Sequence, residues 1–391
     1  MANKARPVLI AGGGIGGLSA SIALAKHGID SCILERSSFS EESGAGIQLG
    51  PNATRLLQTL GVLDAIEPAA SRPDAICIFD GVSGRRLATV PLMPHAETRY
   101  GAPYLTLHRA DLHAGLLSVA KTLAPVELRA GFDLAQIEPG PNTIMARRIG
   151  GPGAEGSALI GADGLWSAVR KTVAPGARLR FSGATAFRGL LPLGDLPTPF
   201  ADQVVGLWLG PKAHLVHYPV RNGEALNLVA VTEGGQEVQG WNQTGDASSL
   251  LSGFTRWCKD SKSLLERVEA WRRWSLYRLA PLPYWSSGAV TLLGDAAHPV
   301  LPFLAQGAGL AIEDAVSLAA TLAAEPDEPA AAFRRYELSR RPRATRLQQQ
   351  SKRFGWLYHL RGPARLARNF ALQRRSQETA LAKFDWLYGE T

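Results

Sequence analysis

The stretch "PVLIAGGGIGGLSASIALAKHGIDSCILER", Pro7 to Arg36, constrains this chain more than any other part of it. A short apolar run ends in glycines, which marks a buried strand entering a tight turn. Leu18, Ile22 and Ala25 then fall on one face at helical spacing. Gly28 can stop that helix, and "SCILER" reads as the next strand. The order is β-α-β, the unit of an open parallel sheet. Gly12, Gly14 and Gly17 fit G-x-G-x-x-G, with Ile15 opening the helix and Glu35 ending the second strand about 20 residues on. Glycine allows the tight turn and a close approach of backbone to a pyrophosphate. The helix start faces that group with about half a positive charge. Glu35 can accept hydrogen bonds from a ribose. A glycine-rich turn with no ligand is the plainer alternative, and the acid at this spacing argues against it.

Two later segments repeat the strand-glycine grammar, "SALIGADG" (Ser157 to Gly164) and "GAVTLLGDAAH" (Gly288 to His298). Both read as buried strands of the same sheet. Between them, "AHLVHYPVRNGEALNLVAV" reads as a hairpin around Arg-Asn-Gly, and "AICIFDGVSGRRLATV" as another. One nucleotide-binding domain is therefore interrupted by an antiparallel-sheet domain, and from about Glu313 the chain reads as helical. The predicted division is 1–72, 100–180 and 285–345 for the first, 73–99 and 181–284 for the second, and 346–391 for a C-terminal helical segment.

Of 391 residues, 46% are hydrophobic and 19% charged, a globular composition. No run of about 18 apolar residues predicts a membrane span, and the N-terminus lacks the long apolar region of a signal peptide. Cys32, Cys77 and Cys258 form no metal-spaced pair and read as buried packing residues of a reducing cytoplasm. No metal site is expected. The net charge of +8 favours anionic small molecules. Much of the excess lies in Arg340, Arg341, Arg343, Arg346, Lys352, Arg353, Arg361, Arg365, Arg368, Arg374 and Arg375, which read as a solvated helical face. No nucleic-acid motif accompanies them. A homodimer through these helices is an expectation, and membrane binding is not.

The fingerprint does not separate FAD from NAD; the later motifs do. Arg36 follows Glu35, and then come "GAGIQLGPNATRLLQTLG" (Gly44 to Gly61), "LTLHRADLHAGLL", "GADGLWSAVR" and "GDAAHPVLPFLAQGAGLAIEDA". In this order they resemble the single-component flavoprotein aromatic hydroxylases, the para-hydroxybenzoate hydroxylase family. The salicylate hydroxylase and 3-hydroxybenzoate 6-hydroxylase branch is nearest, with 6-hydroxynicotinate monooxygenase in the same neighbourhood. The resemblance implies an α/β fold with an FAD-binding Rossmann-like domain of glutathione-reductase type, an antiparallel-sheet substrate domain and C-terminal helices. It implies FAD, transient NADH or NADPH, and O2, acting on a hydroxylated aromatic acid through a flavin C4a-hydroperoxide.

By the same resemblance, Gly46 and Ile47 belong to the cofactor site and Arg109 contacts the FAD phosphate or flavin region. Asp163 belongs to the pyrophosphate region and acts through its own backbone and cations such as Arg170. Asp295 binds the ribityl hydroxyls, a sound use for a strand-end carboxylate. Gly307, Ala308 and Gly309 lie under the flavin and open a helix whose amides favour the anionic reduced ring. Glu313 and Asp314 resemble the branch's acidic pair, although acids early in a helix suit the dipole without any ligand. Asp295 and His298 look like a dyad, but His298 reads as a shaper of the turn into Pro299 and Pro302.

The base is expected at His217, in "HYP" at a strand end, with His214 and His217 both open to the plainer reading of ordinary strand histidines. Histidine suits movement of a phenolic proton near neutral pH. A phenol of pKa about 10 lies about 3.5 units above it, roughly 5 kcal/mol, so deprotonation needs a cationic pocket, an activated phenol or concerted attack. Tyr104 and Phe303 are candidates to line the ring, with Arg188 as a carboxylate or flavin partner. Pro302 stands where the 3-hydroxybenzoate enzymes carry a polar residue, which favours a salicylate-like pocket. The rival readings are a hydroxylase of an apolar quinone precursor at a membrane and a non-catalytic FAD-binding redox sensor. A flavin halogenase is disfavoured, because Trp271 and Trp274 do not form its Trp-x-Trp motif.

Overall fold

The computed structural model describes residues 6–39, 45–194, 196–238, 240, 243–374, 376 and 379–389; Gly44 and Arg375 lie outside them. Pro7 to Arg36 folds as strand Val8–Ala11, helix Ile15–Lys26 and strand Ser31–Leu34. Every residue of both strands is buried, as a parallel sheet covered on both faces requires. Gly28 turns the chain at φ +73°, a conformation open to glycine.

Six strands form the first sheet, in the spatial order 286–287, 290–292, 158–161, 8–11, 31–34 and 126–129. All neighbours are parallel except the short edge pair. The register sets Ala11 opposite Gly161, and Gly161 opposite Leu292. Three strands thus end level, and the turns carrying Gly12, Asp163 and Asp295 leave side by side. The carboxyl ends of such strands are where open α/β sheets bind ligands.

The second sheet has eight strands, ordered 243–245, 271–279, 179–192, 225–233, 213–220, 204–210, 75–80 and 86–91. The expected hairpins are both in it. At the turn after Val220, Arg221, Asn222 and Gly223 all have positive φ. One face of this sheet buries Phe187, Trp208, Leu215 and Leu228 beneath Phe254, Trp257 and Leu264. The other packs Val216, Tyr218 and Val220 with Tyr104, Leu310, Leu347 and Tyr388.

Helices Gly307–Ala324, Pro329–Tyr358 and Gly362–Gln373 complete the architecture. The first is, against expectation, long and apolar enough to cross a membrane, with mean hydropathy 1.3. It is a core helix: Ala311 packs on Gly16 of the first helix, and its apolar residues join the main core. The basic C-terminal run also departs from the expected solvated face. Arg340 and Arg343 pair with buried Glu313, and Arg365 with Asp80. Buried Arg368 donates to the carbonyls of Leu357 and Tyr358. Cys32 and Cys77 are buried, whereas Cys258 is only half-buried.

Candidate active site

The glycine turn is built for close approach. A Cβ on Gly12 would stand 2.5 Å from the Ala162 carbonyl oxygen, and one on Gly17 would stand 1.9 Å from that of Gly12. Packing alone demands glycine at both. A Cβ on Gly14 would meet nothing within 4 Å. Gly14 therefore fronts open space where helix Ile15–Lys26 begins, and no acid occupies that helix's first turn. Unpaired amides and the helix dipole favour an anion there. His113, not foreseen from the sequence, places its Nε2 2.8 Å from the Gly13 carbonyl oxygen and steadies the turn from behind.

Glu35 accepts from the Gly13 amide at 2.7 Å and from the Ser37 amide and hydroxyl at 2.8 Å each. Burial opposes its ionisation, but these bonds and exposed Arg36 hold its carboxyl below the usual range. On the second turn, Asp163 accepts from the amides of Ala168 and Val169 at 2.7 and 3.1 Å. Its other oxygen is buried without a partner among the described residues, and burial raises its pKa.

On the third turn, burial raises the pKa of Asp295 against the pull of His298, Arg109 and Arg170. Arg170 serves that turn directly, donating to the carbonyls of Asp295 and Ala296 at 3.3 and 3.0 Å. Strand Gly46–Leu49 pairs with Leu105–His108, and the Arg109 amide donates to the Ala45 carbonyl at 2.9 Å. Gly46, Ile47 and Arg109 are thereby brought together.

His298 has its own partner. Its Nε2 lies 2.5 Å from Asp314, which also accepts from Arg340 Nε at 2.8 Å and the Gly294 amide at 3.2 Å. Glu313 binds Arg340, Arg343 and the Asn52 amide at 2.6 to 2.7 Å. Burial opposes ionisation of Asp314, yet His298 and Arg340 hold it down to about 2. The acidic pair therefore ties helix Gly307–Ala324 to the long helix and to the Gly294 turn. Gly307, Ala308 and Gly309 open the former helix as expected. Asn52 and the cap residue Gln306 sit against Gly309.

The strand Ala213–Val220 decides between its two histidines. His217 faces the outer core, its ring 5.1 Å from Phe200 and 6.2 Å from Trp208. It is fully buried, both nitrogens lack partners among the described residues, and burial pushes its pKa down to about 3. Gly206 opposite makes the space for it, since a Cβ there would stand 1.9 Å from Nε2. The expectation of His217 as base is corrected by this placement: side chains alternate along a strand, and its position falls on the outer side. His214, Val216 and Tyr218 point the other way.

On that inner side, Tyr218 and Asn227 are cross-strand partners and both close on Gly46, where a Cβ would stand 2.5 to 2.6 Å from them. Asn227 accepts from the Gly46 amide at 2.7 Å, while its own amide nitrogen is buried and unpartnered among the described residues. Tyr104 donates to Gln48 at 2.7 Å. Arg188 shares this face, 5.4 Å over Trp274, and lines with Ala45 and Asn227 a cavity of about 450 Å³. Phe303 packs 5.4 Å from His214, while Pro302 opens a short turn and is exposed. Gln48, Tyr218, Asn227 and His214 were not singled out from sequence as site residues; strand parity, applied to the hairpin, was the signal that could have found three of them.

Residues 5–351 match the FAD binding domain family. The chain belongs to that family. It is 36% identical over 384 residues to 3-hydroxybenzoate 6-hydroxylase 1 of Aquipseudomonas alcaligenes, covering 98% of this chain and 97% of the relative. It is likewise 36% identical over 385 residues to a 3-amino-4-hydroxybenzoate 2-monooxygenase of Streptomyces cremeus, covering 98% and 95%. Its fold matches Klebsiella pneumoniae HpxO complexed with FAD and uric acid, with TM-score 0.86, 25% identity, and coverage of 98% and 97%. The chain is a flavin-dependent monooxygenase of the aromatic-hydroxylase kind. Its residues fit FAD: a helix start open to an anion at Gly14, a ribose acceptor in Glu35, and buried polar atoms of Asp163, Asn52 and Asn227 that lack partners among the described residues.

Proposed function

We propose that this enzyme hydroxylates a phenolic aromatic acid of the hydroxybenzoate or hydroxynicotinate class with NADH or NADPH as reductant. The observation that carries this reading is the inner sheet face, where His214, Tyr218, Asn227 and Arg188 point to one side of neighbouring strands and Tyr218 and Asn227 close on Gly46. Gly12, Gly14, Ile15 and Gly17 would receive the FAD diphosphate, Glu35 and Arg36 its adenosine side, and Arg109, Asp163 and Asp295 its central part. Gly46, Ile47 and Gly307 to Gly309 would bound the ring. When bound, FAD supplies the redox and oxygen chemistry.

The chain's own residues prepare the substrate. Arg188 offers a cation to the carboxylate, Tyr104, Tyr218 and Phe303 offer ring walls, and the two tyrosines offer polar tips. His214 replaces His217 as the group that accepts the phenolic proton, since it is the strand histidine on this face. Removing that proton makes the ring carbons more nucleophilic.

The reductant has a second dinucleotide's diphosphate but no second glycine fingerprint. A cavity of about 810 Å³ supports a separate docking groove. Arg178, Arg180, Arg278 and Lys352 line it, no acid does among the described residues, and Pro299 and Leu301 form its wall beside the Asp295 turn. Arg180 lies directly opposite Arg278 in antiparallel register. Like charges so placed repel, and an anion between them offsets that cost.

The test is a spectral titration of the FAD-loaded protein with a panel of hydroxybenzoates and hydroxypyridines, followed by product identification. At least one should perturb the flavin spectrum and stimulate oxidation of NADH or NADPH with a hydroxylated product. A panel that moves neither the spectrum nor the rate overturns the reading.

A further inference from the structure

His214 does not stand alone. Its Nδ1 lies 2.8 Å from Nε2 of His359, the residue that ends the long helix. The Nδ1 of His359 lies 2.8 Å from Oε1 of Glu233, at the end of the neighbouring sheet strand. The His359 side chain is 4% exposed and that of Glu233 is 44% exposed. Three elements distant in sequence thus join an imidazole on the inner face of the sheet to a half-exposed carboxylate. The backbone fixes the junction, because the Lys212 amide donates to the His359 carbonyl at 3.2 Å. Phe303 and Tyr358 pack on the His214 ring, so water has little access to the middle of the chain.

We propose that His214, His359 and Glu233 form a proton relay between the substrate phenol and solvent. This rests on the substrate class proposed above. As the phenolic O–H bond breaks, its proton binds Nε2 of His214. The proton on Nδ1 of His214 passes to Nε2 of His359, the proton on Nδ1 of His359 passes to Glu233, and Glu233 releases it to water. One proton enters and one leaves, with no change in oxidation state. When the hydroxylated ring regains aromaticity, its oxygen takes a proton back, and reverse transfer restores both tautomers. The relay has a physical motive. Burial and the neighbouring His359 disfavour an imidazolium at His214, so that ring is suited to passing a proton on rather than keeping one.

His359, Lys212 and Arg361 act on Glu233 and keep it ionised, ready to accept. Tyr358 lies against His214, and Arg278 and Lys352 line the groove into which Glu233 and His359 open. These cations favour departure of the proton to solvent. His359 and Glu233 act through His214 and are positioning residues.

The experiment uses the FAD-loaded full chain with 3-hydroxybenzoate and salicylate as probes, and follows phenol-to-phenolate conversion of the bound probe after a pH jump. Glu233→Gln, at a half-exposed carboxylate, and His359→Ala should each slow that conversion at least about tenfold while leaving the probe's affinity within about twofold. Imidazole added to His359→Ala should restore the rate, and both variants should release more peroxide per reductant consumed. Conversion at the wild-type rate in both variants, or loss of affinity in step with rate and without imidazole rescue, overturns the relay. If the wild-type protein ionises neither probe and hydroxylates no member of the hydroxybenzoate and hydroxypyridine panel, the substrate reading fails instead.

Discussion

His214 and His217 stand three residues apart on one strand and live in different chemistry. His217 lies among Phe200, Trp208 and Leu215 with no partner for either nitrogen among the described residues. His214, on the other face, is bonded to His359 and through it to Glu233. The same division holds more widely. On the side facing the glycine turns, ionisable groups come in sets, as His298, Asp314, Arg340, Glu313 and Arg343 do. On the outer side the core is apolar, and burial disfavours the charged form of His217 within it. A buried polar group with partners can hold or move charge; one without partners only costs free energy.

The largest expected effect is on turnover. His214→Phe should lower coupled hydroxylation by about 10²- to 10⁴-fold, the range for a lost general base, while His217→Leu stays within about twofold. Equal losses in product assays of the two variants would erase the contrast between the faces. Next comes stability on the inner side. Arg340→Ala leaves Asp314 and Glu313 buried with fewer partners and should cost about 3–5 kcal/mol in urea unfolding. A cost near that of a surface substitution would show that the set is not a unit.

The outer histidine predicts a pH dependence. Its folded pKa of about 3 lies below its ordinary 6.5, so the unfolded state binds more protons between those values. Stability contributed by the neutral ring is present above pH 6.5 and is lost as pH falls toward 3. Between pH 7.5 and 5 the loss should be about 2 kcal/mol. Urea curves of His217→Leu should lack that share; identical slopes in the two proteins would show that His217 is not buried neutral. The smallest effect concerns the groove. Arg278→Ala should raise KM for NADH or NADPH about tenfold, roughly 1.4 kcal/mol, with kcat changed far less. A KM that does not move would place the reductant elsewhere.

The motifs that were legible are those in which neighbouring residues do one job. Gly12, Gly14 and Gly17 act within a single turn, and Glu35 reaches that turn from the next strand. The strand segments ending at Gly161 and Leu292 were legible too, because an apolar run closed by glycine has few other uses. His217 misled because adjacency in "HYP" says nothing of which face a residue takes. The basic C-terminal run misled because charge counts do not show partners: buried Arg340 and half-buried Arg343 pair with acids from a helix that precedes them in the chain.

The sequence by itself determined the nucleotide-binding turn, the open parallel sheet and the family, because glycine conformation and short-range periodicity are local properties of the chain. Only the tertiary structure decided which histidine lies on the inner sheet face, which acids are paired, and where His359 and Glu233 lie. Those depend on strand register and on helix packing between residues 16 to 145 positions apart, and a shift of one residue in register reverses the faces.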